Sequence, residues 1–217
     1  TERFQAEVVN ALTEDTLLHW HGLTPPSEQD GVPGLSQPAL KPGESARYDF
    51  ASRRAGTHWM HSHVGLQEQQ LLAAPLIIRE TEQPMFDQLE HVVMLHDFTF
   101  RPPGEILAEL QGGGGAHAGH AMPGMDASGT DHSKMDHSGM AQGAGMLNDV
   151  VFDAYLANDR TLADPEIVRV ERGMSVRLRI INGCAASNMW VDLGGLDGEL
   201  IAVDGISILP LKVKRVP

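Results

Sequence analysis

Two short histidine motifs carry the residues with the clearest potential for chemistry. Residues 19–21 are His-Trp-His, and residues 61–63 are His-Ser-His. In a β-strand, side chains two positions apart project from the same face, so each motif presents two imidazoles side by side. Adjacent imidazoles suit a site with several metal ions, in contrast to the His-x-x-x-His pairs with which a helix binds zinc. Spacing alone leaves open whether these four histidines bind metal or are ordinary surface and core residues.

A second group of candidate ligands lies in residues 112–147. From Gly112 to Met146 the chain has no Val, Ile, Leu or Phe, so this segment cannot build an apolar core and is predicted to be a flexible insertion. Thioether sulfur and imidazole together suit Cu(I), whereas a low-complexity linker is the alternative. The candidate Cu(I) ligands are Met122, Met125, Met135, Met140, His117, His120, His132 and His137.

Composition narrows the functional classes. The 217 residues carry 29 acidic and 16 basic side chains, a formal net charge of −13, which argues against nucleic acid as a partner and favours cations. No apolar run approaches the ~20 residues of a membrane-spanning helix. The single cysteine, Cys184, excludes an internal disulfide framework and a thiolate zinc finger. Since it has no neighbouring histidine, we expect a small buried hydrophobe rather than a blue-copper ligand.

Short strands between turn signals dominate the rest of the chain. The clearest is residues 175–180, where apolar and basic residues alternate with the period of a half-buried strand. Two short stretches, residues 66–73 and 104–111, are predicted to be helical. Many strands with few helices favour an all-β sandwich or barrel.

The histidine motifs lie in a distinctive context. Residues 18–23, Leu-His-Trp-His-Gly-Leu, and 56–63, Gly-Thr-His-Trp-Met-His-Ser-His, closely resemble the paired copper motifs in the first domain of three-domain multicopper oxidases. Residues 65–69, with Gln-Glu-Gln, and 131–140, with Met/His repeats, are similar to the bacterial copper-resistance and laccase-like branch. Residues 168–210 resemble the second domain of the same family.

This resemblance implies a fold and a domain organisation. It implies cupredoxin-like Greek-key β-sandwich domains, the first over residues 1–82 and the second over 83–217, with the insertion at 112–147. Both domains are expected to be incomplete, lacking the first strands of one and the last part of the other. The family's third domain, with its type 1 copper and the other cluster histidines, is not in this sequence. The chain alone is therefore expected to be inactive and to need the remaining domain of the same oxidase.

The resemblance also implies roles for individual residues. His19 would bind the type 2 copper, His21 and His61 one type 3 copper, and His63 the other. Together these ions would reduce O2 to water with electrons from the type 1 copper. Asp30 matches the acidic position that helps to move protons toward the cluster, although a plain Asp-Gly turn is the simpler interpretation of that residue.

Three functions follow from these features. The first is an O2-reducing oxidoreductase whose electron donor is Cu(I) or a phenolic compound, with a role in copper tolerance. The second is a non-catalytic periplasmic protein that sequesters copper through the Met/His-rich segment. The third is a cupredoxin-like scaffold that holds zinc or no metal. The histidine contexts favour the first, and copper detoxification by O2 suggests a periplasmic or secreted protein, although the chain shows no export signal at its start.

Overall fold

Strands make up most of the regular structure. The computed structural model describes residues 3–79, 88–111 and 150–217. It divides into two compact units, one of residues Thr1–Thr99 and Phe152–Pro217 and the other of Phe100–Val151. The first unit contains, in chain order, β1 (Arg3–Val9), β2 (Leu18–His21), β3 (Ser45–Ala51), β4 (Gly56–Ser62), β5 (Ala73–Ile78), β6 (Gln88–Phe98), β7 (Ala154–Ala157), β8 (Ser175–Asn182), β9 (Val191–Asp192), β10 (Gly198–Val203), β11 (Ile206–Val213) and β12 (Arg215–Val216).

The strands that carry the histidine motifs belong to an antiparallel sheet. Its order is β2-β4-β5, and β1 pairs with β3 in a second antiparallel sheet. In β1 the side chains of Phe4, Ala6 and Val8 are half-buried while those between them are exposed, the period of two expected of a strand with one face on a core. The packing of these two sheets gives His-Trp-His and His-Ser-His a rigid base.

The core between these strands is aromatic. Trp20, Tyr48 and Phe50 are buried and form one cluster. Phe4 contacts Trp20 edge to face with ring centroids 4.8 Å apart, and Tyr48 contacts it at 4.9 Å. Such pairs stabilise a core beyond their buried area. Trp20 therefore points away from its flanking histidines and into the interior.

The later strands pair in a mixed arrangement. β6 is antiparallel to β7 and parallel to β8, and the hairpin of β10 and β11 and the short pair of β9 and β12 are antiparallel. The alternation predicted in residues 175–180 is present, but Arg179 faces inward while Val176 and Leu178 are exposed. Burying a charge is unfavourable unless the charge is paired. Arg179 meets this requirement by donating hydrogen bonds to Glu90 at 2.7 Å and to Thr57 at 3.0 Å.

The two helix predictions had different outcomes. The second unit contains α1 (Pro103–Gln111), which confirms the helix predicted at residues 104–111 and begins with proline, a favourable first residue. The helix predicted at 66–73 is wrong. Residues Glu68–Gln70 form only a 3-10 turn, because Leu71 takes a left-handed conformation (φ 67°) and the chain enters β5 at Ala73.

Two further predictions concern the chain as a whole. The strands confirm an all-β protein, and no helix among the described residues is long and apolar enough to cross a membrane. The domain boundary near residue 82 falls outside the described residues and stays a prediction.

A buried histidine on β4 makes stability depend on pH. His58 is 3% exposed, and neither ring nitrogen has a hydrogen-bond partner of good geometry among the described residues. Burial is the main cause that lowers the pKa of His58. Interaction with the Arg54 backbone raises this pKa, and the positive charge of the Arg54 side chain lowers it, but both contribute less than burial. A histidine whose pKa is lower in the folded than in the unfolded state binds fewer protons when folded, so stability falls as pH drops below the unfolded value of ~6.5.

Replacing His58 by Phe is therefore expected to reduce the loss of stability on acidification. The free energy of unfolding of the parent should decrease between pH 7 and pH 5, and the slope contributed by one histidine is at most about 1.4 kcal/mol per pH unit. Urea denaturation across this range measures the effect. His91→Phe is the control, since His91 is a half-buried histidine that lies beside the carboxylate of Glu166 (3.6 Å). Equal pH slopes in the parent and in His58→Phe would contradict the prediction.

Candidate metal centre

The two histidine motifs meet through the pairing of β2 with β4. The antiparallel register places His19 opposite His61 and His21 opposite Trp59. His63 follows the end of β4, and its backbone N–H donates to the carbonyl oxygen of Leu17 at 3.0 Å. Pairing distant segments in this register brings four imidazoles to one side of the sheet.

The four rings are close enough to share a site. Ring centroids are 5.5 Å apart for His19 and His61, 5.5 Å for His19 and His63, and 5.5 Å for His21 and His61. His63 lies 5.7 Å from His61, and His19 lies 5.9 Å from His21. One possible ligand atom each from His19, His21 and His61 lies within 4.8 Å of the other two. Ligand atoms at these distances could hold metal ions between them.

Hydrogen bonding sets which nitrogen of His19 can bind a metal. Its Nδ1 is 2.7 Å from the carbonyl oxygen of Asp30 and 3.4 Å from the Asp30 carboxylate. Since a carbonyl oxygen only accepts, Nδ1 must carry the proton, and Nε2 is left with its lone pair. The next residue, Gly31, has φ 77°, and a Cβ there would lie 1.8 Å from the carbonyl oxygen of Leu18. Only glycine permits the turn that brings Asp30 to His19.

His61 and His21 face each other through unlike nitrogens. Nδ1 of His61 lies 3.1 Å from the carbonyl oxygen of Ser62 and 3.2 Å from the Glu68 carboxylate. Because both oxygens only accept hydrogen bonds, Nδ1 of His61 carries the proton, as Nδ1 of His19 does. Nε2 of His61 is 3.4 Å from Nδ1 of His21. Burial, and then the nearby His61 and His19, lowers the pKa of His21. A neutral imidazole is the form that binds a metal ion.

A buried glutamine from the Gln-Glu-Gln motif, to which the sequence analysis assigned no structural role, ties the segment after β4 to the residues just before β2. Gln67 is 5% exposed. Its Oε1 accepts hydrogen bonds from Thr16 (2.7 Å) and Ser62 (2.6 Å), and its Nε2 donates to the carbonyl oxygen of Asp15 at 2.9 Å. A buried amide that makes three hydrogen bonds to different segments rigidifies its surroundings. No sequence pattern distinguishes Gln67 from Gln69 or Gln70.

Other candidate residues lie apart from the cluster. His96 is buried with Nδ1 3.2 Å from the carbonyl oxygen of Gly183, and His91 lies beside Glu166. Cys184 is only half-buried, contrary to the expected buried hydrophobe, and burial together with Asp97 raises the pKa of its thiol to about 11. The protonated thiol that results is a poor metal ligand. The eight Met and His candidates of residues 112–147 lie outside the described residues.

The donor set suits copper. Neutral imidazoles with one nitrogen held by a carbonyl or carboxylate and the other free are the usual copper ligands in proteins. Imidazole also suits zinc, so the donor set by itself does not distinguish the two metals. Fold and site together define an all-β protein with a cluster of imidazoles that could hold metal ions.

Comparison with known proteins gives this class a family. Residues 1–83 match the multicopper oxidase family model. Copper resistance protein A of Escherichia coli is 33% identical over 220 residues, covering 95% of this chain and 36% of that protein. Laccase-1 of Cryptococcus neoformans var. grubii is 28% identical over 209 residues, covering 93% of this chain and 31% of that protein.

Solved structures agree with the sequence matches. The crystal structure of a multi-copper oxidase from Pseudomonas thermotolerans superposes with a TM-score of 0.73 at 25% identity, covering 99% of this chain and 45% of that chain. Residues 1–83 thus match the multicopper oxidase family, and the similarity to named relatives extends over nearly the whole chain. These comparisons confirm the resemblance to multicopper oxidases that the sequence motifs indicated, and they confirm the cupredoxin-like fold. Members of that family are copper-dependent oxidoreductases. The chain spans about a third of the length of the curated relatives it matches.

Proposed function

We propose that this chain supplies half of a trinuclear copper cluster that reduces O2 to water in a multicopper oxidase. The observation that supports this function is the convergence of four imidazole rings with centroids 5.5–5.9 Å apart. His19 would hold the type 2 copper, His21 and His61 one type 3 copper, and His63 the other. When bound, these ions would pass electrons to O2 from a type 1 copper in the remaining domain of the same oxidase.

The chain's own residues would prepare the ligands. The Asp30 carbonyl keeps His19 protonated at Nδ1, so that Nε2 is available. The lowered pKa of His21 keeps its ring neutral near pH 7. Trp59 stacks on His61 with ring centroids 4.4 Å apart and lies 4.8 Å from the ring of His21, which restricts rotation of both rings. Ligands held in this way need little reorganisation on metal binding.

We propose that the Asp30 carboxylate delivers protons to the cluster. Reduction of one O2 to water consumes four protons, and a carboxylate between solvent and the cluster can relay them. The Asp30 side chain is 36% exposed, and its Oδ1 lies 3.4 Å from His19. We therefore infer a catalytic role for the Asp30 side chain that is separate from the structural role of its backbone carbonyl.

Asp30→Ala is expected to slow turnover without removing copper. General acid catalysis contributes roughly 10²–10⁴-fold, so O2 consumption should fall by about 10²-fold or more. Copper content should stay at the parent level, because the hydrogen bond to His19 comes mainly from the backbone carbonyl, which alanine keeps. Oxygen-electrode assays and metal analysis measure both quantities. Asp15→Ala is the matched control, because the Asp15 side chain pairs with Lys41 (3.4 Å) while its carbonyl, like that of Asp30, accepts a structural hydrogen bond. Parent turnover in Asp30→Ala would contradict the relay.

The electron donor is proposed to be Cu(I), with phenolic compounds as the second choice. The relative named for copper resistance and the Met/His-rich composition of residues 112–147 support Cu(I) and a role in copper tolerance. Similarity to a laccase supports phenolic donors. Copper detoxification suggests a periplasmic or secreted location.

Deleting residues 112–147 from the complete, copper-loaded oxidase is expected to lower Cu(I) oxidation more than phenol oxidation. The physical reason is that soft sulfur ligands would collect Cu(I), whereas phenols need no such ligands. Oxygen uptake with each donor measures the effect. A variant that keeps the length of the segment but replaces its eight Met and His candidates by Ser separates ligand chemistry from chain length.

Two outcomes would overturn these proposals. Equal losses with both donors would contradict the role of the segment in Cu(I) oxidation. If the complete protein bound copper but consumed no O2 with either donor, the oxidase function would be wrong, and copper sequestration through the Met/His-rich segment would replace it.

A further inference from the structure

A carboxylate approaches the metal centre from the side opposite to the ligand nitrogens. Glu68 begins the 3-10 turn that follows β4, and its Oε2 lies 3.2 Å from Nδ1 of His61. The His61 side chain is only 8% exposed and that of Glu68 27% exposed, so the pair is partly shielded from water. A charge-assisted hydrogen bond in such a setting is stronger than a neutral one.

The Glu68 carboxylate brings a charge next to the His61 ring. A glutamate carboxyl ordinarily has a pKa of about 4.3, and the hydrogen bond from Nδ1 of His61 favours its charged form. The carboxylate is therefore ionised at neutral pH. It supplies negative charge at a site that is otherwise built from neutral rings.

The turn that carries Glu68 is held in place. Gln67, directly before it, is buried and hydrogen-bonded to Thr16, Ser62 and the Asp15 carbonyl. The backbone N–H of Leu71 donates to the Glu68 carbonyl oxygen at 3.0 Å, closing the turn. The position of the carboxylate is thus determined by buried contacts and not by a mobile surface loop.

Two acceptors compete for the same proton. The Ser62 carbonyl oxygen, 3.1 Å from Nδ1 of His61, would by itself favour protonation at Nδ1. The carboxylate adds what a carbonyl lacks, a full negative charge that makes the opposite nitrogen a stronger donor to a metal. That nitrogen, Nε2, is the one 3.4 Å from Nδ1 of His21.

We propose that Glu68 is a positioning residue that orients His61 and strengthens its Nε2 as a ligand for the metal ion shared with His21. This inference rests on the proposed copper site. Glu68 is not itself proposed as a ligand, because its carboxylate approaches the protonated nitrogen of His61. Its effect passes through that ring.

The test compares Glu68→Ala and Glu68→Gln with the control Gln70→Ala in the full-length protein. Gln70 is on the same turn and exposed. In metal-free protein labelled with ¹⁵N-histidine, NMR reports which nitrogen of His61 is protonated. Glu68→Ala should increase the Nε2–H population of His61, while Glu68→Gln, whose amide oxygen still accepts, should retain Nδ1–H. Gln70→Ala should match the parent.

Copper affinity supplies the second readout. Loss of an outer partner of a ligating histidine typically weakens metal binding by about 10–100-fold, so Glu68→Ala should show a loss of that size in competitive Cu(II) titrations. Glu68→Gln, which keeps the hydrogen bond but loses the charge, should give an intermediate loss. Its similar shape also keeps the test decisive if the alanine variant fails to fold.

The outcomes separate this inference from the proposed function. Parent-like His61 protonation and copper affinity in both Glu68 variants would overturn the positioning role. If the parent itself bound no copper at the cluster, the proposed function would fail, while the NMR comparison would still decide whether Glu68 controls His61.

Discussion

Replacing His61 by alanine is expected to remove copper from the cluster and to abolish O2 reduction by the complete oxidase. The His61 ring lies 5.5 Å from His19, 5.5 Å from His21 and 5.7 Å from His63, centroid to centroid. Removing the His61 ring removes a proposed copper ligand and also the ring nitrogen that donates to the Glu68 carboxylate. The loss of copper affinity should exceed the ~10–100-fold typical of an outer partner. Metal analysis and oxygen uptake measure the two effects.

His91→Ala is the control for this change. His91 is also a partly buried histidine, but its contact is with Glu166 rather than the cluster, so copper content and turnover should equal those of the parent. Parent-level copper in the His61 variant would show that the converging rings are not the metal site. The proposed oxidase function would then lose the observation that supports it.

The second large effect is on stability. Trp20 is 1% exposed and lies at the centre of the aromatic core, in contact with Phe4 and Tyr48. Truncating a buried tryptophan to alanine costs about 3–5 kcal/mol, so Trp20→Ala should lower the free energy of unfolding by that amount. Because its neighbours His19 and His21 share the same strand, copper affinity should fall as well. Urea denaturation followed by copper titration tests both expectations.

Trp190→Ala is the matched control for the core. Trp190 is 65% exposed, and Arg215 lies over its ring at 5.0 Å, a contact worth about 0.5–1 kcal/mol at an exposed site. The stability loss should therefore be several times smaller than in Trp20→Ala. Similar losses in the two variants would show that the aromatic cluster is not the main source of stability for these sheets.

Local patterns were sufficient for the elements that carry the histidines. The His-x-His spacing predicts two imidazoles on one face of a strand, and in the structure His19 and His21 lie on the face opposite to Trp20, which enters the core. This works because the side-chain period of a strand is a property of neighbouring residues. The prediction of a helix at 66–73 was wrong because a contact between distant segments overrode the local pattern. The pairing of β4 with β5 places these residues in a turn and at the start of a strand.

The sequence by itself determined the all-β class and the strands that carry the histidines, and its family resemblance indicated copper. Only the tertiary structure decided the register that sets His19 opposite His61, the orientation of Glu68 toward His61 and the burial of Gln67. Strand periodicity and ligand chemistry are local properties of a few adjacent residues. Which carbonyl or carboxylate fixes an imidazole depends on contacts between distant segments, and no spacing along one chain specifies these.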